Sequence, residues 1–487
     1  MKKKISIIGS GFSSLAASCY LAKAGYEVVV LEKNATVGGR ARQLIKDGFT
    51  FDIGPTWYWM PDVFEKFFAD FGKKPADYYE LERLTPAYQV YFDALDSITI
   101  PGSLEEIYEV FEKEEKGSSR HLKSFLKSAE YNYDVSINDL VYKPGVSPLE
   151  LVTPVTIGKI TQFFSTIRTQ VRKKIKSKKL IQILEFPVLF LGAKPSNTPA
   201  FYNFMNYADF GLGTWHPKGG MYKVIEAMIT LATDLGVSFK TEANVEELTV
   251  NDVGEATGLV VNGEFVSSDI VLSGADYHHT ETLLPKKYRQ YSEKYWDKKV
   301  FAPSSLLFYV GFDKKLANVC HHTLFFDTDF DLHAKTIYDT PSWPKKPLFY
   351  ASFPSITDDS FAPTNKEAAT FLIPLAPGLE DTPEIREKYF NLILERLEKL
   401  TGQPVKENIL FKESFCVNDF VKDYNSYKGN AYGLANILTQ TAFLRPKIKS
   451  KKVKNLFFTG QLTVPGPGVP PALISGKIAS DLILKNH

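Results

Sequence analysis

An α/β fold is predicted: a Rossmann-like nucleotide-binding domain assembled from discontinuous stretches, with an α+β domain interleaved between them. Three observations carry this. The chain opens with Lys4-Ile5-Ser6-Ile7-Ile8, an apolar run of strand length that feeds the glycine turn Gly9-Ser10-Gly11 and a helical stretch, and a second apolar run, Val28-Val29-Val30-Leu31, then ends on Glu32. That is the βαβ pattern of a dinucleotide site. Short β-rich runs with turn signals recur late in the chain, so it returns to this domain twice. At 487 residues the chain also exceeds one ordinary core. The expected division is 1–60, 213–280 and 452–487 for the nucleotide domain, and 61–212 and 281–451 for the second.

In order, Gly9 makes the tight turn, and Gly11 lets a pyrophosphate approach the backbone. Phe12 and Ser13 open the helix, whose orphan N–H groups favour an anion. Ser14 stands where the fingerprint has a third glycine, a small residue read as a tolerated variation. Glu32, followed by Lys33, is placed to accept hydrogen bonds from an adenosine ribose, and its charge argues against a 2′-phosphate. Gly38-Gly39-Arg40 follows, and 49–55 reads as a short strand and turn. Residues 60–210 are expected to be mainly helical, interrupted at Pro144, Pro148 and Pro154. After the Pro217-Lys218-Gly219-Gly220-Met221 loop, a helix over 222–235 ends at Gly236. Strands are expected at 238–241, 246–250, 259–261 and 270–272. From 280 to 440, strand-like runs (305–311, 348–353, 370–374) surround a helix over 383–401. A strand at 456–459, a proline–glycine loop and a helix over 471–484 close the chain.

Composition narrows the function. A net charge of +2 gives no support to nucleic-acid binding. Cys19, Cys320 and Cys416 are too dispersed for a disulfide framework or a zinc pattern, which suits a reducing compartment. Adjacent histidines at 278–279 and 321–322 lack a carboxylate–histidine helix motif, and no metal is expected. Neither a signal peptide nor an apolar run long enough to span a membrane is read from the sequence. The aromatic share is high at 14%, with 36 Phe and 25 Tyr.

The motifs together resemble the flavin-dependent amine oxidase superfamily and, within it, the bacterial-type carotenoid desaturases, in particular phytoene desaturases. The resemblance rests on Gly9-x-Gly11 with Glu32, Gly38-Gly39-Arg40, Asp52-x-Gly54-Pro55 and Pro217-x-Gly219-Gly220-Met221. It is completed by Gly460-x-x-Thr463-x-Pro465-Gly466-x-Gly468-x-Pro470. It implies a bound FAD held by Gly9, Gly11, Phe12, Ser13, Glu32, Lys33, Gly38, Gly39 and Arg40. Val245 would pair with adenine, and Gly460, Gln461, Gly468 and Val469 would lie against the pyrophosphate and flavin ring.

The resemblance also implies desaturation of a long polyene precursor, phytoene to lycopene by successive dehydrogenations, with the flavin as the main catalyst. Such a substrate offers no charge, so its recognition rests on apolar burial. Trp57, Tyr58, Trp59, Phe204, Tyr207 and Phe210 are expected on the walls of a hydrophobic tunnel, the alternative being ordinary core. Asp209 and Glu185, carboxylates among apolar neighbours, are the candidate acid/base groups. Residues 156–180 carry eight basic and no acidic residues. Their apolar positions at helical spacing read as a basic amphipathic helix that lies on a membrane or presents a solvated face. The expected location is cytoplasmic, peripheral to the inner membrane, with oxygen or a quinone as electron acceptor. Three other readings stand: desaturation of a later cyclised or hydroxylated carotenoid, a flavin amine oxidase, and a non-catalytic isoprenoid-binding escort.

Overall fold

The computed structural model describes residues 2–138, 140–154 and 158–487. A five-stranded parallel sheet runs in the order Leu456–Phe458, Ile270–Ser273, Lys4–Ile8, Glu27–Leu31, Ser238–Lys240. Ile5, Ser6, Ile7 and Ile8 are all buried, as befits a central parallel strand covered on both faces. The helix Phe12–Lys23 covers the sheet and is covered in turn by Val469–Asn486. Gly476 lets the two helices meet, since a Cβ there would overlap the Ser13 carbonyl. The strands Val245–Val250, Ala256–Val261 and Glu264–Ser267 form an antiparallel sheet of their own, so of the later β-runs only 238–240, 270–273 and 456–458 join the parallel sheet.

The motifs interlock. Ser14 is fully buried, and its Oγ lies where a Cβ on Gly274 would fall. The close helix–strand approach is thus kept by a glycine on the neighbouring strand end. Asp52 accepts hydrogen bonds from the N–H groups of Met221 (2.8 Å) and Tyr222 (3.3 Å) at the start of the helix Tyr222–Asp234. A Cβ on Gly220 would stand 2.5 Å from Asp52 Oδ2, which explains the second glycine of that loop. Gly54 lies directly on the Arg40 carbonyl, where no side chain fits.

The second sheet has seven strands: Ile409–Phe415, Ser304–Phe312, Glu367–Leu375, Phe349–Ser352, His322–Phe325, Tyr88–Asp93 and Asp96–Ile100. All neighbours are antiparallel except His322–Phe325 with Tyr88–Asp93. The last two strands correct the expectation of helix over 60–210, for Tyr-Gln-Val-Tyr-Phe and Ser-Ile-Thr-Ile there pair as a hairpin. Period-two alternation gives this sheet two working faces. Leu306, Phe308, Phe371 and Ile373 pack with Phe390, Ile393 and Leu397 of the helix Pro383–Thr401. Leu307, Leu372, Tyr350 and Leu324, registered side by side, line a cavity on the other face.

The expected helix over 156–180 is not continuous. Thr156 and Ile157 lie outside the described residues. The remainder forms Ile160–Phe164, Ile167–Arg172 and Lys178–Glu185, with Thr166 and Ser177 capping the second and third. Of its apolar positions, Ile167, Val171 and Ile175 are buried in the protein's own core, while Phe164 is exposed. Arg172 pairs with Glu185, Arg168 with Asp331, and Lys179 with Asp96. No helix among the described residues is long and apolar enough to cross a membrane.

Candidate active site

One cavity of about 560 Å³ runs from the glycine turns of the parallel sheet to the inner face of the seven-stranded sheet, a volume typical of a small-molecule site. Gly9, Gly11, Phe12, Ser13, Glu32, Lys33, Gly38, Gly39, Arg40, Val245, Gly460, Gln461, Gly468 and Val469 all line it. Segments hundreds of residues apart are therefore brought to one surface.

The nucleotide end is built for an anion. Gly9 turns the chain with φ +82°, and a Cβ on Gly11 would meet nothing within 4 Å, so the cavity comes up to bare backbone. Gly39 approaches so closely that its Cβ would stand 3.0 Å from Gly11 Cα. The helix Phe12–Lys23 has no side-chain cap, which leaves its first N–H groups to whatever fills the cavity. Arg40 is desolvated there, which lowers its pKa, and its Nε has no partner. Its Nη2 donates to Ser426 Oγ. A buried guanidinium with an idle donor beside bare glycine N–H groups fits the pyrophosphate of FAD.

Glu32 Oε2 accepts from Ser10 N (3.1 Å) and Ser10 Oγ (2.5 Å), and Oε1 from Asn34 N and Nδ2 (both 2.9 Å). The carboxylate is thus oriented at the strand end, where ribose hydroxyls would replace the two side-chain donors. Lys33 Nζ is held at the cavity's edge, donating to Lys422 O at 2.6 Å and to Asn425 Oδ1 at 3.2 Å. The helix Val469–Asn486 also lacks a side-chain cap. Pro470 and Pro471 remove two of the N–H donors expected there, so Gly468 and Val469 carry that role.

The other end is apolar. Trp57, Trp59 and Phe204 line it as expected, but Tyr58, Tyr207 and Phe210 do not. The segment 57–59 is extended, so Tyr58 points to the opposite side, stacking on Phe64 and bonding Tyr79 at 2.8 Å. From 204 to 211 the chain coils, which turns Tyr207 toward Glu130 (3.1 Å) and Phe210 onto Phe111.

Neither expected carboxylate reaches the cavity. Asp209 is buried behind Tyr88, whose hydroxyl donates to it at 2.8 Å, and desolvation raises its pKa to about 8. Glu185 is buried in a two-pronged ion pair with Arg172 at 2.8 and 2.9 Å.

The structure shows instead a polar chain that the sequence reading missed. Tyr350 Oη lies 2.8 Å from Thr56 Oγ1 and 2.7 Å from His322 Nδ1, and Tyr350 and Thr56 face the cavity. His322 stacks on Trp57 at 4.0 Å, and burial pushes its pKa well below the usual imidazole value. The helix Phe330–Tyr338 presents Phe330, His333, Ala334 and Ile337 to the cavity, a spacing of three and four that was legible. His333 accepts from Leu348 N and donates to Pro374 O (both 2.9 Å), and burial lowers its pKa to about 4. It is a neutral part of the wall. Among the described residues no cluster could hold a metal ion.

Residues 12–484 match the model of the family described as flavin containing amine oxidoreductase. The chain is 41% identical to a carotenoid 3,4-desaturase of Haloarcula japonica, covering 99% of this chain and 98% of that protein. It is 32% identical to a 4,4′-diapophytoene desaturase (4,4′-diaponeurosporene-forming) of Staphylococcus aureus, covering 99% of each. Among solved structures, an oxidoreductase from Methanosarcina mazei superposes with a TM-score of 0.64 at 17% identity, over 98% of this chain and all of that one. The chain belongs to the flavin containing amine oxidoreductase family, in the branch that holds the carotenoid desaturases, and is an FAD-dependent oxidoreductase.

Proposed function

We propose that the protein desaturates a carotenoid, converting phytoene toward lycopene by successive dehydrogenations. The observation that carries this is the cavity's polarity. Every Asp, Glu, Lys and Arg on its lining (Glu32, Lys33, Arg40, Asp276 and Asp423) stands at the nucleotide end, Asp423 brought there from the helix Val417–Tyr424 by its ion pair with Arg42. The far wall is mainly aromatic and aliphatic, its polar side chains such as Thr56, Ser305 and Tyr350 uncharged and its one histidine neutral. A substrate without charge gains about 25 cal/mol per Å² of apolar surface buried against such a wall. An ammonium group would find no carboxylate there among the described residues.

FAD, when bound, supplies the hydride acceptor. The chain's part is to shape and dry the site. Trp57, Trp59, Phe186 and Phe190 pack edge to face or tilted, at centroid distances of 4.8–6.3 Å, and keep water from the substrate. Tyr350 Oη, held between Thr56 and neutral His322, is a polar group that this wall turns to the cavity. Oxygen or a quinone takes the electrons onward.

The likeness to a carotenoid 3,4-desaturase favours one second reading, desaturation of a later carotenoid. Anaerobic incubation with phytoene or with lycopene in liposomes, with and without a quinone, separates the two. New visible bands from phytoene support the first reading. A product from lycopene alone, or only from a cyclised or hydroxylated carotenoid offered in the same way, supports the second, and no product from any of them sinks both.

A further inference from the structure

Arg445 is a buried charge with no carboxylate to balance it. Only 2% of the residue is exposed. Its Nη1 donates to the Gln461 carbonyl at 3.1 Å, and its Nη2 to the Leu434 carbonyl at 2.9 Å and to Asn436 Oδ1. All three acceptors are neutral, and Nε has no partner among the described residues. Burial lowers its pKa to about 10, so it stays charged at neutral pH. Its field reaches its neighbours: together with desolvation it lowers the pKa of Lys299. A guanidinium withdrawn from water without a counter-charge is costly to keep.

One layer of chain separates this charge from the cavity. Asn436 and Gln461, which hold it, both line the cavity, as do Val464, Pro465, Pro467 and Gly468 of the adjoining loop. At Gly466 the loop rests on the guanidinium, for a Cβ there would stand 2.9 Å from Arg445 Nη2 and 2.8 Å from Asn436 Oδ1. The loop begins at the nucleotide end, where a Cβ on Gly460 would stand 3.1 Å from Ser13 Oγ. Asn436 is tied to the apolar end, its N–H donating at 3.1 Å to the carbonyl of Leu191, which lines the cavity beside Phe190. Arg445 therefore stands behind the junction of the two ends. A flavin whose pyrophosphate lies on the glycine turns, and which takes hydride from a substrate on the apolar wall, needs its ring at that junction.

We propose that Arg445 is the counter-charge to the reduced flavin, a positioning residue that raises the reduction potential of bound FAD by its field across Asn436 and Gln461. Two electrons and one proton leave the reduced flavin with a negative charge that the oxidised ring lacks. A fixed positive charge in a low-dielectric wall stabilises that form alone. The effect favours taking hydride from a substrate that carries no activating group. The inference rests on the bound FAD and is measured without substrate, so its failure would leave the desaturase reading intact.

The test is the two-electron midpoint potential of the FAD-loaded protein, titrated anaerobically with dithionite against a reference dye. Arg445→Gln keeps a hydrogen-bond donor without the charge. It should weaken the binding of reduced relative to oxidised FAD by about tenfold, a fall of about 30 mV in the midpoint. Arg445→Lys, which keeps the charge but loses the planar fork, should hold the potential of the unaltered protein. Asn436→Asp sets a carboxylate against Arg445 Nη2 with little change of shape and should lower the potential too, which decides the matter if the Gln variant does not fold. An unchanged potential in either neutralised variant would overturn the proposal. So would a Lys variant that falls as far as the Gln variant, because Arg445 would then be only a tie between backbone carbonyls.

Discussion

Replacing Gly274 by alanine tests how this nucleotide fold tolerates Ser14 in place of the fingerprint's third glycine. Gly274 follows the strand Ile270–Ser273, and a new Cβ would fall on Ser14 Oγ, with Ser14 Cβ and Thr459 Cγ2 next at 3.4 Å. Ser14 is fully buried in the first turn of its helix, so neither partner has room to retreat. The backbone of Gly274 lies outside the left-handed region, which makes the cost one of packing alone. One methyl forced into a filled core costs about 1–3 kcal/mol. Ser14→Ala removes the clashing oxygen, which has no hydrogen-bond partner, and should by itself leave stability unchanged or raise it. The double variant should then recover most of the loss, a coupling of about 1–3 kcal/mol. Urea unfolding followed by circular dichroism and flavin fluorescence gives the four midpoints of this cycle. A double variant as unstable as Gly274→Ala alone would refute the compensation.

Glu32→Ala should weaken FAD binding by roughly ten- to a hundredfold, the worth of hydrogen bonds to a charged group. Fluorescence of flavin released on dialysis measures this, and full retention would remove Glu32 from ribose binding. Asp209 is protonated in the fold up to about pH 8, while in the unfolded chain it ionises near the ordinary carboxylate value. The folded state therefore binds the extra proton, and this group's contribution to stability falls as pH rises from about 4 to about 8. Asp209→Asn, which keeps an acceptor for Tyr88, should flatten that fall; unchanged pH dependence of the urea midpoint would contradict the assignment. Glu185→Gln should cost about 1.5–3 kcal/mol by loosening the Arg172 pair while leaving flavin reduction by substrate at its normal rate. A stable variant with abolished reduction would restore Glu185 as a catalyst.

The parts legible in the sequence were those whose physics is local. A strand, a glycine turn and a helix read in succession gave the first βαβ unit, and the structure gathers every nucleotide-side residue named from it onto one cavity. The helix Pro383–Thr401 was equally plain, bounded by a capping threonine and a terminal glycine. Direction was what the sequence withheld. Aromatic neighbours made Trp57, Tyr58 and Trp59 look alike, yet alternation puts Tyr58 on the far side. Asp209 and Glu185 have apolar neighbours in sequence, but only the packing shows that they turn to Tyr88 and Arg172. Apolar spacing at 167, 171 and 175 reports a buried face without saying whether protein or lipid buries it. The breaks at Thr166 and Ser177 were readable as helix caps. The Tyr88–Ile100 hairpin was hidden because its short alternation lies among helical neighbours.

The most direct test of the account is anaerobic mixing of the FAD-loaded protein with phytoene in liposomes, following the flavin's visible absorption and the polyene bands together. The oxidised flavin band should bleach as longer-conjugated product bands grow, and the protein carrying no FAD should form no product. A flavin that stays oxidised with carotenoids but bleaches with an amine would contradict the desaturase reading and make this apolar cavity an amine site.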